Sequence, residues 1–364
     1  MRAQDPFELG ADSGERPAGP IVAGVGVEAH AAHVPGLERM RQHEQLHLGV
    51  RCRADRRPGQ PGVPLAADGI DATHLAVVGG ALDAVERTLG AWLRRGDRVA
   101  VEDPGYPPVL DLLAAMDLAC VPMTMDEFGV TPAALAGALA RGCQAVLVTP
   151  RAQNPTGAAR DLARSTALAE ILARHPGSGV IEDDHAGQVA GASVHSICGG
   201  LRRWAAIRSV SKSLGPDLRL AVLAGDAVTI ARVEGRQALG TGWVSYLLQE
   251  TVAELWDDPR TRDLLAGAAV TYAGRREGLI SELAACGFPS SGRSGLAVWV
   301  PVADELSTTS ALLDRGWAVA PGERFRIAAR PGIRIGTGTL TSEEAARLAA
   351  DLHSVLQRQP RRGE

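Results

Sequence analysis

The sequence predicts an α/β protein, a mainly parallel sheet with helices on both faces, followed by a smaller α+β domain. Three observations carry that prediction. From Ile70 onward, short apolar runs alternate with amphipathic segments, as βαβ units require. After about residue 226 the alternation gives way to long helical segments and then to short strands. The balance of 45% hydrophobic and 22% charged residues in 364 is that of a globular chain with room for two domains, which argues against extensive disorder.

In order, a strand is expected at Leu75–Val78, a helix at about 81–95, a strand at Val99–Val101 and a helix at about 106–116. Each strand is a short apolar run, and each helix keeps its apolar residues on one face. The series continues with a strand at Ala119–Pro122, a helix at 132–140, a strand at Ala145–Val148, a helix near 160–174 and a strand at Gly179–Ile181. Strands at Ala205–Ser209 and Leu220–Ala224 complete the large domain's sheet. Helical segments follow at about 227–239, 243–257 and 260–285, then an alternating stretch Gly295–Pro301, a strand Ile333–Ile335 and a helix at 341–357. The expected division is a large domain over 66–255 and a small one over 256–364. Residues 1–65 hold four of the nine histidines, an arginine-rich run and no sustained periodicity, so no domain is assigned there.

Several function classes are disfavoured at once. A net charge of −4 gives no overall basic field for sequence-independent DNA binding. No apolar stretch has the length of a membrane span, and the N-terminus lacks a signal-peptide core, so a cytoplasmic protein is expected. The five cysteines form no C-x-x-C pair and suit neither a disulfide framework nor a zinc site.

One detail of composition points to chemistry. Of 38 basic residues only Lys212 is lysine, and Asn154 is the sole asparagine. GC-rich coding explains the scarcity but not the two survivors. A lysine kept where arginine would serve for charge suggests a task that needs a deprotonatable amine, such as a Schiff base.

Ligands of parallel sheets bind at the carboxyl ends of the strands, and the loops there supply a set. The turn Val78-Gly79-Gly80-Ala81-Leu82 places backbone N–H groups where a helix start could hold a phosphate. Glu102-Asp103-Pro104-Gly105-Tyr106 ends the next strand with one of three tyrosines, which could equally be a packed aromatic. Thr149-Pro150-Arg151-Ala152-Gln153-Asn154-Pro155-Thr156-Gly157 is more specific, and its Asn154 could bond a ring hydroxyl. Glu182-Asp183-Asp184-His185 admits two readings, a metal site or one carboxylate neutralising a cationic ring nitrogen. Ser209-Val210-Ser211-Lys212 with Arg219 suits a phosphate monoester beside an aldehyde; its S-x-x-K spacing also fits a β-lactamase, but that chemistry needs a second lysine.

With these motifs the region from about residue 66 resembles fold type I pyridoxal 5′-phosphate (PLP) enzymes of aminotransferase class I/II, whose fold is that of aspartate aminotransferase. Within that group it is most similar to the aminotransferase-like domain of MocR regulators, of the GntR family and the PtsJ type. The resemblance implies that Lys212 forms the Schiff base with the cofactor, Asp183 pairs with the pyridinium nitrogen, Asn154 bonds O3′ and Tyr106 stacks on the ring. It implies a phosphate site made by Gly80, Ala81, Leu82, Ser209, Ser211 and Arg219, and a carboxylate clamp at Arg334. It also implies a homodimer.

Three departures accompany the resemblance. Ala81 stands where a serine is usual, and His185 where most relatives have a tyrosine that reaches O3′. Nothing in residues 1–65 reads as the winged helix-turn-helix of a MocR regulator, and that stretch is read as a wrong-frame or mis-started translation. The expected function is therefore the effector-sensing domain of such a regulator, responding to PLP, an amine or an amino acid and touching DNA only if a full-length form carries the helix-turn-helix. The alternative is a working aminotransferase that moves an amino group from an amino acid to a 2-oxo acid; a truncated product without function is a third reading.

Overall fold

The structure, a computed structural model, describes residues 64–358. The stretch read as irregular and mis-started, residues 1–65, lies outside the described residues except for its last two. In chain order the described residues form α1 (Pro64–Ala67), β1 (Leu75–Val78), α2 (Ala81–Trp92), β2 (Arg98–Asp103), α3 (Pro107–Ala115), β3 (Ala119–Asp126), β4 (Gly129–Val130), α4 (Pro132–Ala140), β5 (Ala145–Val148), α5 (Leu162–Ala173), β6 (Gly179–Asp184), β7 (Trp204–Ser209), β8 (Ala221–Gly225) and α6 (Ala227–Ala238). Then come α7 (Tyr246–Asp257), α8 (Pro259–Ala285), β9 (Ala297–Pro301), α9 (Glu305–Leu313), β10 (Ala320–Pro321), β11 (Gly332–Gly336) and α10 (Ser342–Arg358).

Strands β1 to β8 form one sheet in the order β1-β8-β7-β6-β5-β2-β3-β4. The pairings β3–β2, β2–β5, β5–β6 and β6–β7 are parallel. β8 runs antiparallel to β7 because only residues 210–220 connect them, too few for a crossover helix. Alternate residues of the central strands feed two cores: Val99, Val101, Leu147, Ile181 and Ile207 pack on one face, and Ala100, Val146, Val148, Val180 and Ala206 on the other. A sheet buried on both faces explains why its strands read as unbroken apolar runs rather than alternating ones.

A second, antiparallel sheet of order β10-β11-β9 packs its Val298, Val300, Ile333 and Ile335 against Leu279 and Leu283 of α8 and Leu348 and Leu352 of α10. The α7–α8 break sits at Asp258, whose carboxylate accepts the N–H groups of Arg260 and Thr261 while Pro259 opens the new helix. No helix among the described residues is long and apolar enough to cross a membrane.

Parallel register sets the site. Because Val148 pairs with Glu182 and Asp184 with Arg208, the carboxyl ends of β5, β6 and β7 line up along one edge, with β2 alongside β5. The loops carrying Tyr106, Asn154, His185 and Lys212 therefore leave the sheet side by side.

Candidate active site

At that edge lies a cleft of about 280 Å³ lined by Ala81, Leu82, Tyr106, Asn154, Asp183, His185, Ser209, Ser211, Lys212, Arg219 and Arg334, residues that span more than 250 positions of sequence. Gly80 is the N-cap of α2, just outside the lining, with φ +109°. A Cβ there would sit 3.5 Å from Nη2 of Arg219, an ordinary contact, so it is the positive φ and not crowding by the guanidinium that calls for glycine at the helix start. Arg219 itself holds a left-handed φ of +42°, which turns its side chain back over the cleft. The start of α2, the hydroxyls of Ser209 and Ser211 and the Arg219 guanidinium thus form a cup suited to an anion.

The acidic run on β6 separates into three environments. Glu182 turns away from the cleft, to Arg160, Ser196 and the N–H of Ile197. Asp184 is held by Arg151 through a fork of 2.9 and 3.2 Å and by Nε of Arg208 at 2.8 Å; despite burial, Arg208 and Arg151 keep its carboxyl below the usual range. Asp183 faces the cleft, and its buried Oδ1 has no hydrogen-bond partner among the described residues. Burial pushes its carboxyl up, an effect that the nearby His185 opposes and Asp184 reinforces. With Glu182 and Asp184 engaged by arginines, no group of three or more metal-binding side chains exists among the described residues.

The loop after β5 is built from inside. Gln153 accepts from the Thr156 N–H and hydroxyl at 3.0 and 2.6 Å and donates to the Pro104 carbonyl at 2.8 Å, tying this loop to the one that carries Tyr106. Gly157 has φ +66°, and a Cβ there would lie 2.9 Å from three backbone atoms of the 292–297 segment. Only glycine lets the loop dock there. Asn154 is fixed from the other side, since Nε of Arg334 on β11 donates to its Oδ1 at 2.8 Å. Burial draws the Arg334 guanidinium down, opposed by the nearby Tyr106. Below the loop, Glu102 accepts from the N–H and the hydroxyl of Thr149, both at 2.9 Å, and burial raises its carboxyl to about 7.

Sequence reasoning missed two things here. Ala152, Ala186, Leu296 and Ala297 form apolar wall, and nothing in their local pattern marks them as lining. Asp103, buried at the end of β2, accepts the N–H groups of Ile327, Ala328 and Ala329 at 2.8 to 2.9 Å, while the Gly105 N–H donates to Phe325. This ties the loop bearing Tyr106 to the segment leading into β11 and Arg334, a contact across more than 220 positions that only the fold reveals.

The architecture and the strand-end cleft define a class, and the chain belongs to the aminotransferase class I and II family, whose model matches residues 69–352. It is 39% identical over 295 residues to the vitamin B6 salvage pathway transcriptional repressor PtsJ of Salmonella typhimurium, a match covering 79% of this chain and 69% of that one. It is also similar to the HTH-type transcriptional regulator TauR of Rhodobacter capsulatus, at 28% identity over 65% of this chain, spanning about half (51%) of that relative. Among solved structures, the kynurenine aminotransferase of Pyrococcus horikoshii superposes with a TM-score of 0.74 at 18% identity, over 91% of this chain and 95% of that one, and shares the fold.

Proposed function

We propose that the cleft binds PLP and that this chain is the aminotransferase-like, effector-sensing domain of a PtsJ/MocR-type regulator of the GntR family. The observation that carries the proposal is Asp183: a buried carboxylate with an unpartnered oxygen at the floor of a cleft is satisfied by a cationic N–H, and a pyridinium nitrogen is one. The family of the chain and the chemistry of the remaining lining support the same group. When bound, the cofactor supplies an electron sink for the α-carbon of an amine.

The chain's own residues take the other roles. Lys212 would hold the cofactor's aldehyde carbon through Nζ, the aldehyde oxygen leaving as water, and in the enzyme reading its freed amine would move a proton at the α-carbon of the incoming amine. Asn154 would donate through Nδ2 to O3′ while Arg334 holds its Oδ1, and His185, just past the neighbouring carboxyl end of β6, lines the same cleft. Tyr106 covers one face of the ring. Gly80, Ala81, Leu82, Ser209, Ser211 and Arg219 hold the phosphate. With Nε engaged by Asn154, the two remaining nitrogens of Arg334 would serve a ligand carboxylate in the cleft. The effector is PLP or a small amine or amino acid, and the working form is a cytoplasmic homodimer, as the resemblance implies.

A second reading, a stand-alone aminotransferase, is favoured by Arg334 in the cleft, because a sensor of PLP alone has no need of a carboxylate clamp. The two are separated by adding a panel of amino acids to the PLP-loaded protein. A sensing domain keeps its visible band through repeated additions, whereas conversion to the pyridoxamine form, reversed by 2-oxo acids, establishes the enzyme.

A further inference from the structure

Behind the cleft lies a four-membered ion network that the cofactor roles do not use. Asp184, adjacent to Asp183, pairs with both Arg151 and Arg208. Arg208, adjacent to Ser209, reaches Asp68 with Nη2 at 2.5 Å. Arg151, three residues before Asn154, comes within 3.7 Å of the same Asp68 oxygen. The three inner members are almost wholly buried, with 2 to 8% of each side chain exposed, whereas Asp68 is 27% exposed.

Two arginines and two aspartates balance, so Asp68 supplies the charge without which a buried guanidinium is left uncompensated. Asp68 belongs to neither the sheet nor the cleft. It lies in the turn after α1, a turn closed by the Asp68 N–H on the Leu65 carbonyl and anchored by the fully buried Leu65.

We propose that Asp68 is a positioning residue: through Arg208, Arg151 and Asp184 it fixes the strand ends bearing Ser209, Asn154 and Asp183, so that the seating of residues 64–70 and ligand binding in the cleft are coupled. The proposal rests on the PLP reading and deepens it. In a sensing domain, a ligand's effect must leave the cleft by some contact with two discrete states, and this network joins the ligand-holding loops to the segment at the amino-terminal side of the domain. Coupling is reciprocal: if PLP steadies the network it steadies residues 64–70, and loosening that turn weakens PLP.

The test uses the full chain and PLP itself. Hydrogen exchange of the wild-type protein with and without PLP should show added protection in residues 64–70, although no atom of that turn lines the cleft. D68N should raise the PLP dissociation constant about tenfold, within the usual range of site-to-site couplings. It should also abolish the PLP-induced protection of 64–70, and D68E should recover most of both. Unchanged exchange of 64–70 in the wild type on saturation with PLP would overturn the proposal without need of any variant. So would a D68N protein with wild-type affinity, or a loss that D68E fails to recover. A wild-type chain that does not bind PLP fails the underlying reading instead.

Discussion

Glu102 offers a perturbation whose size follows from the structure. Its carboxyl is buried beside Thr149 and titrates at about 7 rather than at the ordinary 4.5, chiefly because burial penalises the charge. An acid whose folded value is raised costs the folded state nothing below about pH 4.5. It costs progressively more up to about pH 7 and the full amount above that, about 3 kcal/mol at 1.36 kcal/mol per pH unit. Glu102→Gln removes the charge and keeps both partners, since Oε1 still accepts the Thr149 N–H and Nε2 can donate to the Thr149 hydroxyl. Urea unfolding of wild type and E102Q without cofactor, from pH 5 to pH 8, should show the variant gaining on the wild type. The gap should grow from under about 1 kcal/mol at pH 5 to about 3 kcal/mol at pH 8. A gap that does not change with pH, or an E102Q protein less stable than wild type at pH 8, would refute the assignment of a stored proton beneath the site.

Asp183→Asn should act with opposite signs on the two forms. Without cofactor it removes a buried carboxyl whose charge burial penalises, so the midpoint of thermal unfolding should rise relative to wild type as pH increases, while PLP affinity should fall on the order of a hundredfold or more, the scale of a broken buried ion pair, read by absorbance titration. Arg334→Lys removes both the Nε bond to Asn154 and the fork; PLP affinity should change by less than about threefold, while any spectral response to amino acids should need on the order of tenfold or more ligand. Equal losses for both ligands would show that Arg334 serves Asn154 alone.

Much of this site was legible because its chemistry rests on residue types that composition had made rare. Lys212 and Asn154 stood out against an arginine-rich chain, and both fall on strand-end loops that a parallel sheet must place together. The strands were legible for a related reason, since full burial on two faces leaves no polar residue to blur Ala145–Val148 or Ala221–Gly225. Other features were hidden by their physics. α9, with the sequence ELSTTSALL, has weak helical propensity and is held by the Asp304 cap on the Ser307 N–H and by the Thr308 hydroxyl on the Asp304 carbonyl. β3 runs on to Asp126 and turns into β4, a two-residue strand too short to carry a period. The different fates of Glu182, Asp183 and Asp184 depend on which arginine each meets, and those partners arrive from β5, β7 and their loops. No local pattern could assign them.

The central claim is that this cleft holds PLP through Lys212, and the most direct measurement locates the bond. The protein is saturated with PLP, treated with borohydride, digested and mapped by mass spectrometry, alongside Lys212→Ala treated identically. A phosphopyridoxyl increment confined to the peptide containing Lys212, absent from the variant, is the predicted result. No fixed increment in the wild type, or one that persists in the variant, would contradict the account.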